Sequence, residues 1–253
     1  MGGGRNYMKF EPCEKCKNNK IPGYIEVNSV LRECECRTAW KMKSSLLWEL
    51  KEANLLSSEK DLLWDYSLSM YKGANENIQK LHKIMESKEL FKFYNYYFWG
   101  QPNTQKTTIA KWMGKIAIKD FKLSTYYMSM NALVELLGVI KKDKEHYEKI
   151  NKIKNIDVLI IDDAFDAKKI VLFSNNFQLI YFNNFLQERL QNESTVTIFA
   201  SSVEPSKINT NHFGMEIPNI LLKRKTIIIP CTDNINRENA FIDINSIFSN
   251  KTR

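Results

Sequence analysis

One segment, residues 94–118, constrains the fold of this chain more than any other. The aromatic run Tyr94–Trp99 has the length and composition of a strand, and residues 107–118 have the apolar spacing of a helix. Between them lies Gly100-Gln-Pro-Asn-Thr-Gln-Lys106-Thr107. A strand, a glycine-opened loop and a helix in this order predict a Walker A loop, which binds phosphate oxygens through backbone N–H groups and the helix N-terminus.

The loop predicts which residues contact ATP. They are Gly100, Gln101, Pro102, Asn103, Thr104, Gln105, Lys106, Thr107 and Thr108. We expect Lys106 to place its charge at the β and γ phosphates, and Thr107 to offer its hydroxyl to Mg²⁺. The usual pattern has glycine where this chain has Gln105. The sequence leaves two outcomes open: the Gln105 side chain folds away from the loop, or it distorts the cradle and weakens binding.

A second motif is an apolar strand that ends in paired acids, Asp157-Val-Leu-Ile-Ile-Asp162-Asp163. Its almost continuous apolar run is typical of a central parallel strand buried on both faces. The pattern predicts Walker B, with Asp162 in the Mg²⁺ shell and Asp163 orienting or polarising the attacking water. The alternative is a strand that ends in a turn capped by aspartates. Adjacent carboxylates are costly without a cation to balance them, which favours the magnesium site.

Strands and helices alternate over the rest of this region. The other predicted strands are 124–128, 195–200 and 226–229, and the other predicted helices are 39–53, 75–90, 131–139, 145–152 and 177–191. Such alternation indicates βαβ units, so we expect an α/β fold with a parallel sheet between two helical layers.

The N-terminal residues 1–37 show little regular periodicity and hold four of the five cysteines. Cys13, Cys16, Cys34 and Cys36 form a C-x2-C and a C-x-C pair, a spacing that suits one structural Zn²⁺. Because this region has little core of its own, we expect the metal to supply much of its folding energy. The alternative is four free thiols. Cys231 follows a strand and is interpreted as a small buried residue.

The formal net charge of +8 favours a polyanionic partner, either DNA or an acidic protein surface, over a membrane. A lysine-rich solvated surface is the alternative interpretation. The sequence has no apolar run near the ~20 residues that cross a bilayer and no secretory signal, so we expect a cytoplasmic protein. Its Lys-, Asn- and Ile-rich composition suggests a phage or mobile-element origin.

Together these motifs resemble the DnaC/DnaI-type helicase loaders and the related IstB-like ATPases, from about residue 62 to residue 240. The paired aspartates are typical of that family, where other AAA+ proteins have Asp-Glu. Further segments similar to the family are Leu63–Leu68, Tyr71-Lys72-Gly73, Asn184–Arg189 and Thr232–Arg237.

The resemblance implies an AAA+ P-loop domain of three αβα layers, preceded by a zinc-binding and helical region. It implies partner docking by residues 1–60, a linker at 61–90 and the ATPase domain at 91–253. The implied activity is Mg²⁺-dependent ATP hydrolysis that places a DnaB-type hexameric replicative helicase on single-stranded DNA. Self-association through the AAA+ domain is also implied, and the helix pair at 131–152 falls where relatives line single-stranded DNA.

The resemblance also assigns two residues that act on the γ-phosphate. Ser202, at the end of the 195–200 strand, stands where the family commonly has the sensor 1 asparagine; an ordinary serine-rich turn is the alternative. Arg224 is the nearest candidate for an arginine finger, with Arg189 and Arg237 as alternatives. If none of these arginines reaches the γ-phosphate, the protein binds ATP as a switch and hydrolyses it slowly.

Two further functions are open from the sequence. One is an IstB-like helper ATPase that remodels DNA for a transposase, against which the cysteine cluster argues mildly. The other is a zinc adaptor with a degenerate nucleotide-binding fold, which the replacements at Gln105 and Ser202 favour.

Overall fold

The structure, a computed structural model, describes residues 8–56, 61, 63–70, 81–138, 143–168, 176–223 and 225–231. It divides into two compact units, residues 1–52 and residues 53–253. Among the described residues, no helix is both long enough and apolar enough to span a membrane.

The N-terminal unit contains a hairpin and one helix. Strands β1 (Tyr24–Val27) and β2 (Val30–Glu33) pair antiparallel, and helix α1 (Glu35–Glu52) follows. The two hairpin-turn residues between the strands have φ of 53° and 60°, the left-handed pair that a tight two-residue hairpin turn requires. The sequence did not predict this hairpin, because its strands are short and mostly exposed and so lack apolar alternation.

A few aromatic contacts order the N-terminal unit. The Arg37 guanidinium lies over the rings of Phe10 and Tyr24, 5.6 and 4.8 Å from their centroids. The Trp40 indole N–H donates to the carbonyl of Met8 at 2.9 Å, and its ring meets Phe10 edge-on. These contacts are few, and they involve side chains with polar or charged ends.

The larger unit is built on a parallel sheet of five strands in the order β4-β5-β6-β3-β7. The strands are β3 (Asn95–Trp99), β4 (Thr125–Ser129), β5 (Val158–Asp162), β6 (Val196–Ser201) and β7 (Thr226–Pro230). The helices are α2 (Lys88–Phe93), α3 (Lys106–Lys119), α4 (Met130–Gly138), α5 (Lys144–Asn155), α6 (Asn176–Gln191), α7 (Thr210–Phe213) and α8 (Glu216–Lys223). The predicted α/β fold with a parallel sheet is confirmed.

Helices cover both faces of the sheet. On one face, α3 approaches β5 so closely that a Cβ on Gly114 would lie 2.7 Å from the Ile160 side chain. On the other face, Leu159 and Ile161 belong to a core that also includes buried side chains of α4, α5 and α6. Because β5 is covered twice, its first four residues are fully buried, as its continuous apolar run predicts.

One predicted helix differs from the structure. Residues 75–80 lie outside the described residues, and the helical backbone at 81–84 ends in a turn at 85–86. Ser87 then starts α2 as its N-cap: it has an extended backbone, and its hydroxyl accepts from the Leu90 N–H at 3.2 Å. The apolar spacing continues across this break, so the predicted single helix 75–90 is wrong at its C-terminal end.

Candidate nucleotide site and cysteine cluster

The Walker A loop lies where β3 ends and α3 begins. Gly100 has a φ of 154°, and its N–H donates to the Ser201 carbonyl at 3.2 Å, which fixes the start of the loop against β6. Asn103 and Gln105 both have left-handed backbones, with φ of 65° and 63°. Gln105 is also the N-cap residue of α3, so the loop leads directly into the N-terminus of this helix.

Gln105 keeps the conformation that glycine would adopt at this position. Its φ of 63° and ψ of 15° cost a non-glycine residue about 1–2 kcal/mol. Its side chain reaches the strap formed by residues 63–70, where the Tyr66 hydroxyl donates to Oε1 at 3.3 Å. The substitution therefore preserves the backbone turn and adds a side-chain contact that glycine cannot make.

Lys106 lies inside the loop. Its Nζ donates to the Gln101 carbonyl at 2.6 Å and to the Thr104 hydroxyl at 3.2 Å. The ammonium is thereby held beside the loop backbone and one residue into the helix, where a bound anion would be stabilised by both charge and helix dipole.

The two predicted motifs meet through a hydrogen bond. The Thr107 hydroxyl donates to Asp162 Oδ1 at 3.0 Å, and the Asp163 N–H donates to the same oxygen at 2.9 Å. Asp163 itself has a left-handed φ of 50°, because the chain turns sharply at the end of β5. The hydroxyl and carboxylate that the sequence assigns to magnesium are therefore brought together, and both are hard oxygen ligands of the kind Mg²⁺ binds.

Tyr127 completes the surroundings of the Asp162 carboxylate. Its hydroxyl donates to Oδ2 at 2.7 Å, and the Lys111 ammonium lies 4.1 Å from the centre of its ring. Burial raises the pKa of Tyr127, and the bond to Asp162 raises that pKa further. The sequence did not predict Tyr127 or Lys111; the available signal was that Lys111 lies one helical turn after Thr107, on the same face of α3.

The end of β6 lies beside the same edge. The Ser201 hydroxyl donates to the Ala164 carbonyl at 2.5 Å, and the exposed Ser202 hydroxyl donates to Asp166 Oδ2 at 2.9 Å. These bonds tie the end of β6 to the turn that follows β5. The sensor role of Ser202 stays a prediction.

Arg189 has a structural position. Its side chain is 1% exposed, and it donates to the carbonyls of Ile153, Lys154 and Val196 at 2.7–3.2 Å. A finger must reach a nucleotide on a neighbouring subunit, so this burial overturns Arg189 as an arginine-finger alternative. Arg224 and Arg237 lie outside the described residues.

The strap is tied to α3 at a second point. Lys115, which is 8% exposed, donates from Nζ to the carbonyls of Leu63, Trp64 and Tyr66 at 2.8, 3.0 and 2.8 Å. Burial lowers the pKa of Lys115 and raises the pKa of Tyr66. The loop-bearing helix therefore holds the strap through both a lysine and Gln105. The segments Tyr71–Gly73 and Thr232–Arg237 lie outside the described residues.

Cys231 directly follows β7 and is fully buried, as the sequence predicts. Burial raises the pKa of its thiol to about 12, although Lys106 acts in the opposite direction. Its N–H donates to the Trp99 carbonyl at 2.6 Å, which makes it a packed continuation of the sheet.

The four N-terminal cysteines form one cluster. Their Sγ atoms all lie within 4.8 Å of one another, with contacts of 3.8 Å (Cys13–Cys16), 3.7 Å (Cys13–Cys34) and 3.4 Å (Cys16–Cys36). Four sulfurs at about 2.3 Å from a tetrahedral Zn²⁺ are about 3.8 Å apart, so the cluster has the size that zinc requires.

Local backbone favours thiolates in this cluster. A hydrogen bond from the Lys15 backbone lowers the pKa of the Cys13 thiol to about 7. Backbone hydrogen bonds act in the same direction at Cys34 and Cys36, but burial and hydrogen bonds from neighbouring thiols outweigh them, so the pKa of both thiols is raised. Of these three thiols, Cys13 is therefore the one most readily deprotonated as a ligand of a cation.

Comparisons with known proteins agree with this architecture. The sequence profile of the IstB-like ATP binding protein family matches residues 17–198, well over half of the chain. The DnaC helicase loader structure superposes with a TM-score of 0.53 at 15% identity, over 67% of this chain and 98% of that one. The DnaI structure gives a TM-score of 0.53 at 19% identity, over 72% of this chain and 95% of that one.

At these identities the two structures show a common fold. No curated protein sequence matches the chain. The family match covers the Walker A loop, the Walker B aspartates and the first half of β6, all of which are described above. The chain belongs to the IstB-like ATP-binding protein family and has the AAA+ P-loop fold.

Proposed function

We propose that this chain is an ATP-dependent loader that places a DnaB-type hexameric replicative helicase on single-stranded DNA during replication initiation. The observation that carries the proposal is the four-thiol cluster of Cys13, Cys16, Cys34 and Cys36 on a chain of the IstB-like family. Transposition helpers of this family usually lack such a module, whereas DnaI-like loaders carry a zinc-bearing N-terminal region.

The nucleotide site supports ATP binding with Mg²⁺. The loop from Gly100 to Thr108 would hold the phosphates through backbone N–H groups other than those of Gly100 and Pro102, together with Lys106. Thr107 with Asp162 would hold the metal shell. Mg²⁺ supplies neutralisation of charge that develops between the β and γ phosphates. We assign the orientation of the attacking water to Asp163, the residue that follows this carboxylate.

Single-stranded DNA binding is supported by the surface of α5. Lys149 and Lys152 are exposed on this helix, as is Lys144, which pairs with Glu148 at 3.8 Å; the hydrophobic positions Ile150 and Ile153 are buried. Exposed lysines along one helix can neutralise phosphates of a strand without reading its sequence. We assign DNA contact to the α4–α5 pair.

Helicase docking is assigned to the N-terminal unit. Its hairpin exposes Val30 and Leu31, each 55% exposed, and α1 exposes Trp48 at 54%. Exposed apolar side chains on and beside the hairpin that lies between the two cysteine pairs suit a protein partner. This assignment completes the proposal of a cytoplasmic, self-associating ATPase that bridges helicase and DNA.

A loading assay tests the proposal. The purified protein is mixed with the DnaB-type helicase of the same genome and circular single-stranded DNA, which has no end for threading. We expect ATP and Mg²⁺ to increase helicase retained on the circle at least several-fold. A Lys106→Ala variant should lose this stimulation, and Lys119→Ala, an exposed lysine at the end of α3, should keep it.

The proposal fails if the folded, ATP-bound protein neither co-purifies with the helicase nor raises its retention on DNA. The family match favours one second candidate, an IstB-like helper of a transposase. Stimulation of strand transfer by a transposase encoded beside this gene, with no effect on the helicase, would support that function instead.

A further inference from the structure

The Asp162 carboxylate is held by three donors, one on α3, one on β4 and one in the turn that follows β5. Oδ1 accepts from the Thr107 hydroxyl of α3 and from the Asp163 N–H, at 3.0 and 2.9 Å. Oδ2 accepts from the Tyr127 hydroxyl of β4 at 2.7 Å, the shortest of the three. Residues of the two motifs thus donate to Oδ1 of the carboxylate, whereas Tyr127, which lies outside both motifs, donates to Oδ2.

The sheet register explains how Tyr127 reaches this carboxylate. Tyr127 lies opposite Ile160 on the neighbouring strand, and Asp162 is two residues further along that strand. All three side chains therefore lie on one face of the sheet, the face that α3 covers. On α3, Thr107, Lys111 and Gly114 meet Asp162, Tyr127 and Ile160 respectively.

Tyr127 is itself held in place. Its N–H donates to the Ala53 carbonyl at 2.9 Å, and its carbonyl accepts from the Asn54 side chain at 3.0 Å. The Lys111 ammonium covers its ring at 4.1 Å. Because the phenol is fixed by its backbone and by its ring, its hydroxyl can set the orientation of a carboxylate rather than follow it.

We propose that Tyr127 is the positioning residue of the magnesium-binding carboxylate, and that the Mg²⁺-dependent part of nucleotide affinity depends on its hydroxyl. This inference rests on the proposed binding of ATP with Mg²⁺. Tyr127 acts without contacting the metal. Its bond to Oδ2 orients the Asp162 carboxylate so that Oδ1, the oxygen bonded to Thr107, would face the Mg²⁺ ion. Groups that orient a metal ligand in this way commonly change metal affinity by about 10- to 100-fold when they are removed.

A Tyr127→Phe variant tests the inference, because it removes one oxygen and keeps the ring. Binding of a fluorescent ATP analogue is titrated with Mg²⁺, after a first measurement in excess EDTA. In EDTA, we expect the variant to bind the ATP analogue as tightly as wild type does. In the Mg²⁺ titration, we expect the Mg²⁺ concentration at half of the metal-dependent increase in affinity to rise about tenfold. Tyr126→Phe is the matched control, because its ring packs against the core on the opposite face; it should behave as wild type.

The possible outcomes are separable. If the wild-type chain binds no nucleotide, the proposed function fails and the variants are not needed to show it. If wild type binds and Tyr127→Phe has an unchanged or tighter Mg²⁺ dependence, the positioning role is overturned. If thermal melting shows that Tyr127→Phe is unfolded at the assay temperature, the titration is repeated for all variants at a lower temperature where it is folded, and an unshifted Mg²⁺ midpoint there contradicts the proposal.

Discussion

At the scale of single residues, Gln105 shows how a motif can depart from its pattern and keep its shape. Walker A loops use glycine here because the backbone is left-handed. Gln105 adopts that backbone, with φ of 63°, and its amide oxygen accepts a bond from Tyr66. The departure therefore affects the energy of the loop more than its geometry.

The left-handed backbone at Gln105 predicts an order of stability among variants. Gln105→Ala and Gln105→Gly both lose the bond to Tyr66, but only alanine keeps a Cβ in the left-handed backbone. We expect the glycine variant to be more stable than the alanine variant by about 1 kcal/mol, measured by urea unfolding. Tyr66→Phe is the control for the lost hydrogen bond. An alanine variant as stable as the glycine variant would show that the backbone at 105 is not left-handed.

At the scale of elements, α3 organises the larger unit. One face of this helix brings Thr107, Lys111 and Gly114 onto β4 and β5, while Lys115 holds the strap. The sequence predicted the helix, its phosphate loop and the acidic end of β5, because each has a local pattern. It could not predict Tyr127 or the Lys115 contacts, because these depend on sheet register and on carbonyls 49–52 residues away.

In the N-terminal unit, the sequence predicted the cysteine cluster but not the hairpin. Cysteine spacing was enough to predict the cluster, since a zinc site needs four ligands and little else. The hairpin between the two cysteine pairs was missed, because exposed four-residue strands carry no periodicity. Its turn uses Asn28-Ser29, which lacks the glycine that usually marks such turns.

Metal removal tests the role of the cluster at this scale. We expect one Zn²⁺ per chain by native mass spectrometry, and loss of amide-exchange protection in residues 8–52 after chelation, because the aromatic contacts there are few. Protection in β3–β7 should persist. Cys34→Ser should lose the metal, and Cys231→Ser should retain it. A zinc-free chain with an equally protected N-terminal unit would contradict a structural zinc site.

At the scale of the whole molecule, the chain carries a unit with the AAA+ P-loop fold and a small cysteine-clustered unit. Family membership and the AAA+ fold are shown by the profile match and the sheet order. The hydroxyl–carboxylate pair at Thr107 and Asp162 connects the two motifs across 55 residues, as a magnesium-nucleotide site requires. The proposed loading of a helicase depends on that site binding ATP.

Calorimetric titration of ATP in the presence of Mg²⁺ tests this central claim most directly. We predict one ATP per chain for wild type, and affinity at least tenfold weaker, about 1.4 kcal/mol, for Lys106→Ala. Lys119→Ala should bind as wild type. A folded wild-type chain that binds no ATP, and gains none on Gln105→Gly, would contradict the account and favour a zinc adaptor with a degenerate nucleotide fold.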